Sequence, residues 1–484
     1  MTLIAFKKSY LWFLFLFALC FSTINGAQAD WAEIDEQGKP VFNAQTTTLD
    51  NGMQIVVVQN NRAPVVHHML WYKVGAADEE WGKGGIAHFF EHLMFRGTKN
   101  MEDGEYSKTV ASLGGRDNAF TGQDYTSYFA TISVDYLDKI MAMEADRMVN
   151  LDLNDEVIET ERKVIMEERR QRLENDPFGR FNEKYNQILY PNHPYGMPII
   201  GWMHEIEGYS PDDIRAFYKT HYGPNNAILV IVGDIAFEKA VEMAKTHYGA
   251  IPKNPNIKER EWPALPANLV DDLKQKLVLN DPQIRQTYWR KNYLVPSETM
   301  DMKRSMALNL IDEMLSGGQA APFYDQLVQE KKLSISASMS YSGMHKSWGT
   351  LGFYATLNDP SEIDAFIAGL DELISNYATN GFSDEEIEIA KERMIASSIF
   401  ARDSLRTPAY IFGQSLTIGL DMNDVEFWRD RIQTIDKDYI DQTFRDFIAN
   451  PTPPSPAIEA VLMPEGIRLK MSDDQTDKEE ESIQ

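Results

Sequence analysis

Cysteine is almost absent: Cys20 is the only one in 484 residues. That excludes an intramolecular disulfide framework and any zinc module built from cysteines. Basic charge is scarce as well. Against 73 Asp and Glu stand 47 Lys and Arg, a formal net charge of -26. Nucleic-acid binding needs clustered Lys and Arg to neutralise phosphates, so that class is excluded, while an acidic cavity would favour cationic peptides. Long apolar runs are missing too. The one candidate, from Tyr10 to Phe21, falls short of the roughly 20 residues a membrane helix needs. At 43% hydrophobic, 11% aromatic and 25% charged, the chain is neither disordered throughout nor of low complexity. A length of roughly 100–200 residues per domain predicts two to four domains.

What the N-terminus does contain is ordered in a meaningful way. Lys7 and Lys8 precede the apolar run, and Ala27-Gln28-Ala29 follows it. A basic n-region, a short apolar h-region and a small-x-small site read as a secretory signal peptide over residues 1–29. The mature chain is then expected to start at Asp30, to lack cysteine, and to be exported to the periplasm. Residues 30–44 form a polar lead-in.

Asp50-Asn51-Gly52 precedes a β-branched run at 53–58, which predicts a hairpin corner feeding a buried strand. A second strand is expected at 65–74, then a glycine-rich turn at 82–85 and a helix from Ile86 to about Phe95. Residues 104–113, 136–150, 155–174, 211–221 and 236–248 read as helices, and 125–133 and 227–232 as strands. Ile251-Pro252-Lys253-Asn254-Pro255, with Pro263 and Pro266 beyond, marks a linker over 251–269. The order then begins again: strands near 275–279 and 286–292, helices near 303–315 and 321–329, strands near 333–341 and 349–355, helices at 361–379 and 384–401. One α+β plan thus serves twice, over 45–250 and 270–465. The acidic tail, 466–484, has no periodicity and reads as disordered.

The strongest local signal is His88-Phe89-Phe90-Glu91-His92 in a chain with nine histidines. Positions i and i+4 share a helical face, so both imidazoles can reach one ion. Neutral His is a favoured zinc ligand, and a catalytic zinc keeps a place open for water. Glu91 falls near the same face, where a carboxylate can take that water's proton and pass it to a leaving amine. The arrangement is the inverted form of the zincin motif. A third ligand must come from elsewhere. The charged helix at 159–174 offers Glu161 and Glu168, which share a face with Val164 and Ile165. A carboxylate aimed inward is costly unless it meets a cation. Geometry alone leaves Glu167 and Glu168 both open.

His88 to His92, followed by Glu161-Arg-Lys-Val-Ile-Met-Glu-Glu168, resembles the pitrilysin-type inverzincin metallopeptidases. The subgroup it is most similar to holds mitochondrial processing peptidase and bacterial two-domain zinc proteases. The resemblance covers about residues 45–465. It implies an α+β fold of two similar domains, each a mixed, mostly antiparallel sheet packed by helices, together forming half of a clamshell chamber. It implies one Zn2+ per chain on His88, His92 and Glu168, Glu91 as general base, and Glu161 as an assisting catalytic glutamate. Gly114 to Thr121 resembles the family's edge strand, so Asn118 and Ala119 are expected to bind substrate, an extended peptide adding to an unpaired edge through main-chain hydrogen bonds. His193-Pro194-Tyr195 and the segment from Tyr222 to Ala227 also match family landmarks, with structural roles expected.

One match fails. Family members that work as complete enzymes carry Arg and Tyr, seven apart, where this chain has Val328 and Ile335. Neither side chain can donate a hydrogen bond to an oxyanion, a role that can be worth several kcal/mol to the chemical step. Such chambers are built from four domains and this chain has two, so a second subunit is expected. The missing pair implies a related but non-identical one, in a heterodimer. The expected activity is zinc-dependent cleavage of peptides or short unfolded segments. The alternative is a binding or assembly subunit that keeps the fold and lacks proteolysis.

Overall fold

The computed structural model describes residues 39–260, 274–449 and 457–466. The signal peptide, most of the lead-in, Pro263 and Pro266 with the rest of the linker from 261, and the tail beyond Gly466 lie outside the described residues.

The first sheet holds β1 (Gln45–Thr48), β2 (Gln54–Gln59), β3 (Val65–Tyr72), β4 (Arg116–Thr121), β5 (Thr126–Ser133) and β6 (Ala227–Gly233), in the order β1-β2-β6-β3-β5-β4. Only β2 and β6 pair in parallel; the other pairs are antiparallel. The turn at Asn51-Gly52 does close a hairpin between β1 and β2. Gly52 sits at φ 91° there, a left-handed conformation that favours glycine. β6, Ala-Ile-Leu-Val-Ile-Val-Gly, is buried at every position, which is why it reads as a continuous apolar run rather than an alternating one.

The second sheet holds β7 (Lys274–Asp281), β8 (Thr287–Val295), β9 (Ser336–Ser342), β10 (Gly349–Leu357) and β11 (Ala457–Pro464), in the order β7-β11-β8-β10-β9. Matching it to the first sheet without β1 pairs β7 with β2, β11 with β6, and β9 with β4. The parallel pair recurs as well, between β7 and β11. The fold is therefore α+β, two mixed and mostly antiparallel sheets packed by helices.

The helices of eight residues or more are α1 (Ile86–Leu93), α2 (Glu105–Ser112), α3 (Leu137–Asn150), α4 (Asp155–Arg169), α5 (Pro177–Leu189), α6 (Pro211–His221), α7 (Phe237–His247), α8 (Met302–Ser316), α9 (Ile363–Asn380), α10 (Asp384–Ala401), α11 (Arg406–Ile418) and α12 (Lys437–Phe444). Two of them cross between the lobes. Phe181, Tyr185 and Leu189 of α5 pack with Leu294, Ile458 and Leu462 of the second sheet. In return Ala409, Phe412 and Leu416 of α11 pack with Val56, Trp71 and Val230 of the first. Sequence reading assigned neither helix. Each buries its stripe against strands far away in the chain, so no local pattern says which sheet it covers.

Three expectations are corrected. Residues 170–174, the end of the helix expected over 155–174, wind as π-helix. Residues 323–330 wind as π-helix rather than as a regular helix. Val164 does not share the inward face of α4; it is 41% exposed. At about 100° per residue, the buried Ile158, Arg162, Ile165 and Arg169 lie to one side of Glu161, and Val164 lies about 60° to the other.

The corresponding edge strands β4 and β9 differ. Along β9, exposed serines alternate with Ala337, Met339 and Tyr341, which point inward. Two of its outward N–H groups are already taken: that of Met339 donates to Ser316 Oγ at 2.6 Å and that of Tyr341 to Asp312 Oδ2 at 2.9 Å. An edge covered this way offers no template for another strand.

Burial pushes the Asp312 carboxyl up to about 6, against the opposing pull of the Tyr341 N–H. Between its ordinary value and pH 6 the folded chain therefore holds a proton that the unfolded chain releases, so this group's contribution to stability falls as pH rises through that window. Asp312→Asn, which keeps the acceptor, is expected to raise Tm at pH 8. Thermal melts across pH should show that gain shrinking to nothing as pH drops below 4.

Candidate active site

α1 begins where the backbone turns through Gly85 at φ 92°; a Cβ there would lie 2.4 Å from the Ile200 carbonyl oxygen. Glu79 caps the helix, accepting the N–H groups of Gly85 and Ala87 at 2.8 Å each. A carboxylate at a helix N-terminus satisfies donors that have no intrahelical partner. The helix so anchored presents His88 and His92 one turn apart, with ring centroids 4.9 Å from each other.

α4 crosses beside it. About 100° per residue puts Glu168 some 20° from Glu161, on the border of the buried face, and Glu167 about 120° away. Glu168 is accordingly 17% exposed while Glu167 is 56% exposed and pairs with Arg170. The Oε2 atom of Glu168 lies 3.2 Å from His92 Nε2 and 3.8 Å from His88 Nε2. One donor atom from each of His88, His92 and Glu168 falls within 4.8 Å of the other two. Helical rotation thus separates two adjacent glutamates that local spacing had left open.

Glu161 does different work. At 1% exposure it accepts from His92 Nδ1 at 2.8 Å and from the Arg96 guanidinium. Holding Nδ1 fixes the ring so that Nε2 faces Glu168. Glu161 is thus an orienting group behind the donor set.

The residues fit a divalent metal. His88 Nδ1 and Glu168 Oε2 are buried and have no hydrogen-bond partner among the described residues, the close approach of His92 to Oε2 lacking hydrogen-bond angles. Burial, and then the charge of His92, hold His88 down at about 4, which keeps it neutral as a ligand must be. Burial would lower His92 as well, but its bond to Glu161 and the adjacent Glu168 carboxylate outweigh this and raise it to about 9. The close His92 ring holds the Glu168 carboxyl below its ordinary value. The field at this point already favours a cation. Two imidazoles and a carboxylate, leaving room for more, suit zinc.

Glu91 points from α1 toward β4, where its Oε2 accepts the Thr121 hydroxyl at 2.7 Å. Burial raises its pKa above the usual carboxylate value. β4 is the last strand of its sheet. Asn118 is exposed and Ala119 is buried, and the Ala119 N–H is occupied only by the Asn118 side chain, at 2.9 Å. Unlike β9, this edge carries, among the described residues, no contact from a neighbouring helix to its N–H groups. Phe120, facing the other way as strand alternation requires, anchors β4 on Trp71, Tyr125 and Tyr410. A cleft of about 620 Å³ runs past His88, Glu91, Asn118, Thr121 and Arg172.

Sequence reading named His88, Glu91, His92, Asn118, Ala119, Glu161 and Glu168, and all seven meet around this cleft and its rear wall. It missed Glu79, Arg96, Thr121 and Arg172. Three of these had a signal. Arg96 and Arg172 stand one helical turn beyond His92 and Glu168, and Arg172 Nη1 indeed lies 2.9 Å from Glu168 Oε1. Thr121 stands two residues beyond Ala119 on the same strand face. His193 is a structural histidine: it accepts the Tyr195 N–H at 3.2 Å and meets Ser347 Oγ at 2.9 Å. Val328 packs against the second core and Ile335 is exposed just before β9. Neither brings a donor.

Comparison with known proteins gives a consistent family pattern. The sequence model of the family described as Insulinase (Peptidase family M16) matches residues 54–201, and the one described as Peptidase M16 inactive domain matches 208–394. The zinc protease PqqE of Helicobacter pylori is 31% identical over 383 residues, covering 79% of this chain and 84% of that protein. The uncharacterized zinc protease YmxG of Bacillus subtilis is 24% identical over 359 residues, 74% and 84% of the two chains. Among solved structures, a protease from Helicobacter pylori aligns with TM-score 0.77 at 27% identity, over 88% of this chain and 100% of that one. The first half of the periplasmic protease PqqL from Escherichia coli aligns with TM-score 0.74 at 22% identity, over 88% and 92%. The whole of PqqL is covered over 47% of its length.

The geometry separates the glutamates in a measurable way. By competition with a fluorescent chelator, Glu168→Gln is expected to abolish tight zinc binding and Glu167→Gln to leave it intact. Glu161→Gln should weaken it about 10–100-fold, as loss of a group that orients a ligand does.

Proposed function

The chain belongs to peptidase family M16, and from that premise we propose that it is a zinc-dependent endopeptidase hydrolysing peptides and short unfolded protein segments. One observation carries the reading: the donor atoms of His88, His92 and Glu168 lie within 4.8 Å of one another, beside Glu91 and the open edge of β4. Those three residues hold the ion, one per chain. When bound, zinc supplies a Lewis acid that polarises the scissile carbonyl and makes water nucleophilic near neutral pH.

The chain's own groups do the rest. Glu91 takes the proton of the attacking water and delivers it to the leaving amine; its raised proton affinity suits the delivery. The Thr121 hydroxyl fixes the rotamer of that carboxylate. The substrate extends β4 as an added strand, its carbonyl replacing Asn118 Oδ1 at the Ala119 N–H and its next groups meeting the freed Asn118 amide. An extended backbone is what such an edge recognises, so folded domains are excluded. Arg172 turns the outer oxygen of Glu168 away from the donor set.

Val328 and Ile335 leave the oxyanion without donors from this chain's second half, and the four-domain chamber of the family needs two chains of this length. A related partner carrying Arg and Tyr completes it, in a heterodimer in the periplasm after removal of residues 1–29. No helix among the described residues is long and apolar enough to cross a membrane. Because α5 and α11 interlock the two lobes of this chain, closure over substrate takes place between the subunits. A second reading, a non-proteolytic assembly subunit, draws on Val328, Ile335 and the match to the inactive-domain model.

Hydrolysis of a quenched basic peptide by residues 30–484 decides between them. Glu91→Gln is expected to abolish cleavage while zinc stays near one per chain, and Thr121→Val to lower kcat about tenfold, the worth of one hydrogen bond, with zinc unchanged. If the native chain is inactive alone, mixing with a partner bearing Arg and Tyr should restore cleavage. Zinc-loaded protein that stays inactive in every mixture would establish the assembly role.

A further inference from the structure

A second cavity, of about 450 Å³, lies in the C-terminal lobe among α8, α10, α11 and the short helices Met422–Glu426 and Trp428–Gln433. It shares no lining residue with the cleft beside His88. Its wall is mostly apolar and rich in methionine, with Met302, Met306, Met394 and Trp428 facing the space. Thioethers are soft and adapt to the shape of what they contact.

One group does not belong in such a wall. Glu298, between β8 and α8, lines the cavity, and its carboxylate has no hydrogen-bond or ion-pair partner among the described residues. Burial, with the charge of Asp424 added, pushes it up to about 7. Asp424 lines the same space but is satisfied, accepting the Asp421 N–H at 2.8 Å and pairing with Arg431. Glu298 is half-buried; a carboxylate partly withdrawn from water and without a protein partner is costly, and a chain that keeps one at the rim of an apolar space has a place for a cation.

The lining narrows the kind of cation. A hydrated metal ion wants six or more oxygen ligands and would leave the methionines in contact with water. A neutral hydrocarbon would fill the space and leave Glu298 unpaired. An organic ammonium with an apolar body satisfies both, and the volume is that of a small-molecule pocket. Trp428 adds an aromatic face, which attracts cations. We propose that this cavity binds a small amphiphilic ammonium ion, its cationic head on Glu298 and its hydrocarbon body among Met302, Met306, Met394 and Trp428. The site is independent of the peptidase reading, because none of its residues touches the donor set.

Isothermal titration of the full mature chain at pH 7.5 with n-octylammonium, n-octanol and octanoate tests this. Saturable one-to-one binding of octylammonium, at least tenfold tighter than octanol and with octanoate unbound, is the expected result. Glu298→Gln should bring octylammonium to the octanol level without changing octanol itself, and Met394→Trp, which fills the space, should remove both. Equal affinity for amine and alcohol in the native chain would overturn the proposal, as would an amine preference that survives Glu298→Gln or binding that survives Met394→Trp. If a variant does not fold, the three-ligand comparison on the native chain still decides.

Discussion

Glu161 is a carboxylate at 1% exposure, and the way it is satisfied holds the candidate site together. An acid that deep is tolerated only where donors meet it. Arg96 and His92 of the α1 segment are those donors, so α4 and α1 are locked in one relative rotation. That rotation carries Glu168 to the two imidazoles, keeps Glu167 in solvent, and turns Nε2 of His92 toward the donor set. The chain Arg96–Glu161–His92–Glu168 continues to Arg172 at the cleft. Removing its buried middle would loosen every donor atom at once.

The two sheets show how one plan yields one usable edge. In the first, α1 turns Glu91 toward Thr121 and leaves the Ala119 N–H covered by nothing firmer than the neighbouring Asn118 side chain. In the second, the corresponding helix α8 spends Asp312 and Ser316 on the N–H groups of β9. The same architecture is open for strand addition in one lobe and shut in the other. The difference lies in which side chains a helix turns toward its edge strand.

The lobes are joined by more than a linker. α5 lends Phe181 and Tyr185 to the second sheet, and α11 lends Phe412 and Leu416 to the first. Buried polar contacts reinforce the exchange: Tyr185 bonds Asn292 at 2.7 Å, and Asp124, just past β4, receives the Tyr195 hydroxyl at 2.8 Å and the Lys346 N–H at 3.1 Å. The loop that follows the candidate substrate edge is therefore tied to the C-terminal half. A change in packing between the lobes would be felt at Thr121 three residues earlier.

The sequence alone was enough for whatever depends on short-range periodicity. The i, i+4 spacing of His88 and His92 is a property of any α-helix, and the glycine turns, the β-branched runs and the repeated order of elements are equally local. That Val328 and Ile335 cannot donate a hydrogen bond is likewise plain from side-chain chemistry without coordinates. Tertiary structure decided the remainder. Helix spacing left Glu167 and Glu168 open and the family resemblance named Glu168. The side of α4 that meets the core is what sets Glu168 beside the imidazoles, and Val164, assigned inward, proved to lie outside that face. Thr121 and the crossing helices α5 and α11 act across tens to hundreds of residues, and only the folded chain brings them to their partners. The unpaired Glu298 is invisible in sequence for the same reason: a glutamate is ordinary until the fold sets it, half-buried, beside an apolar space.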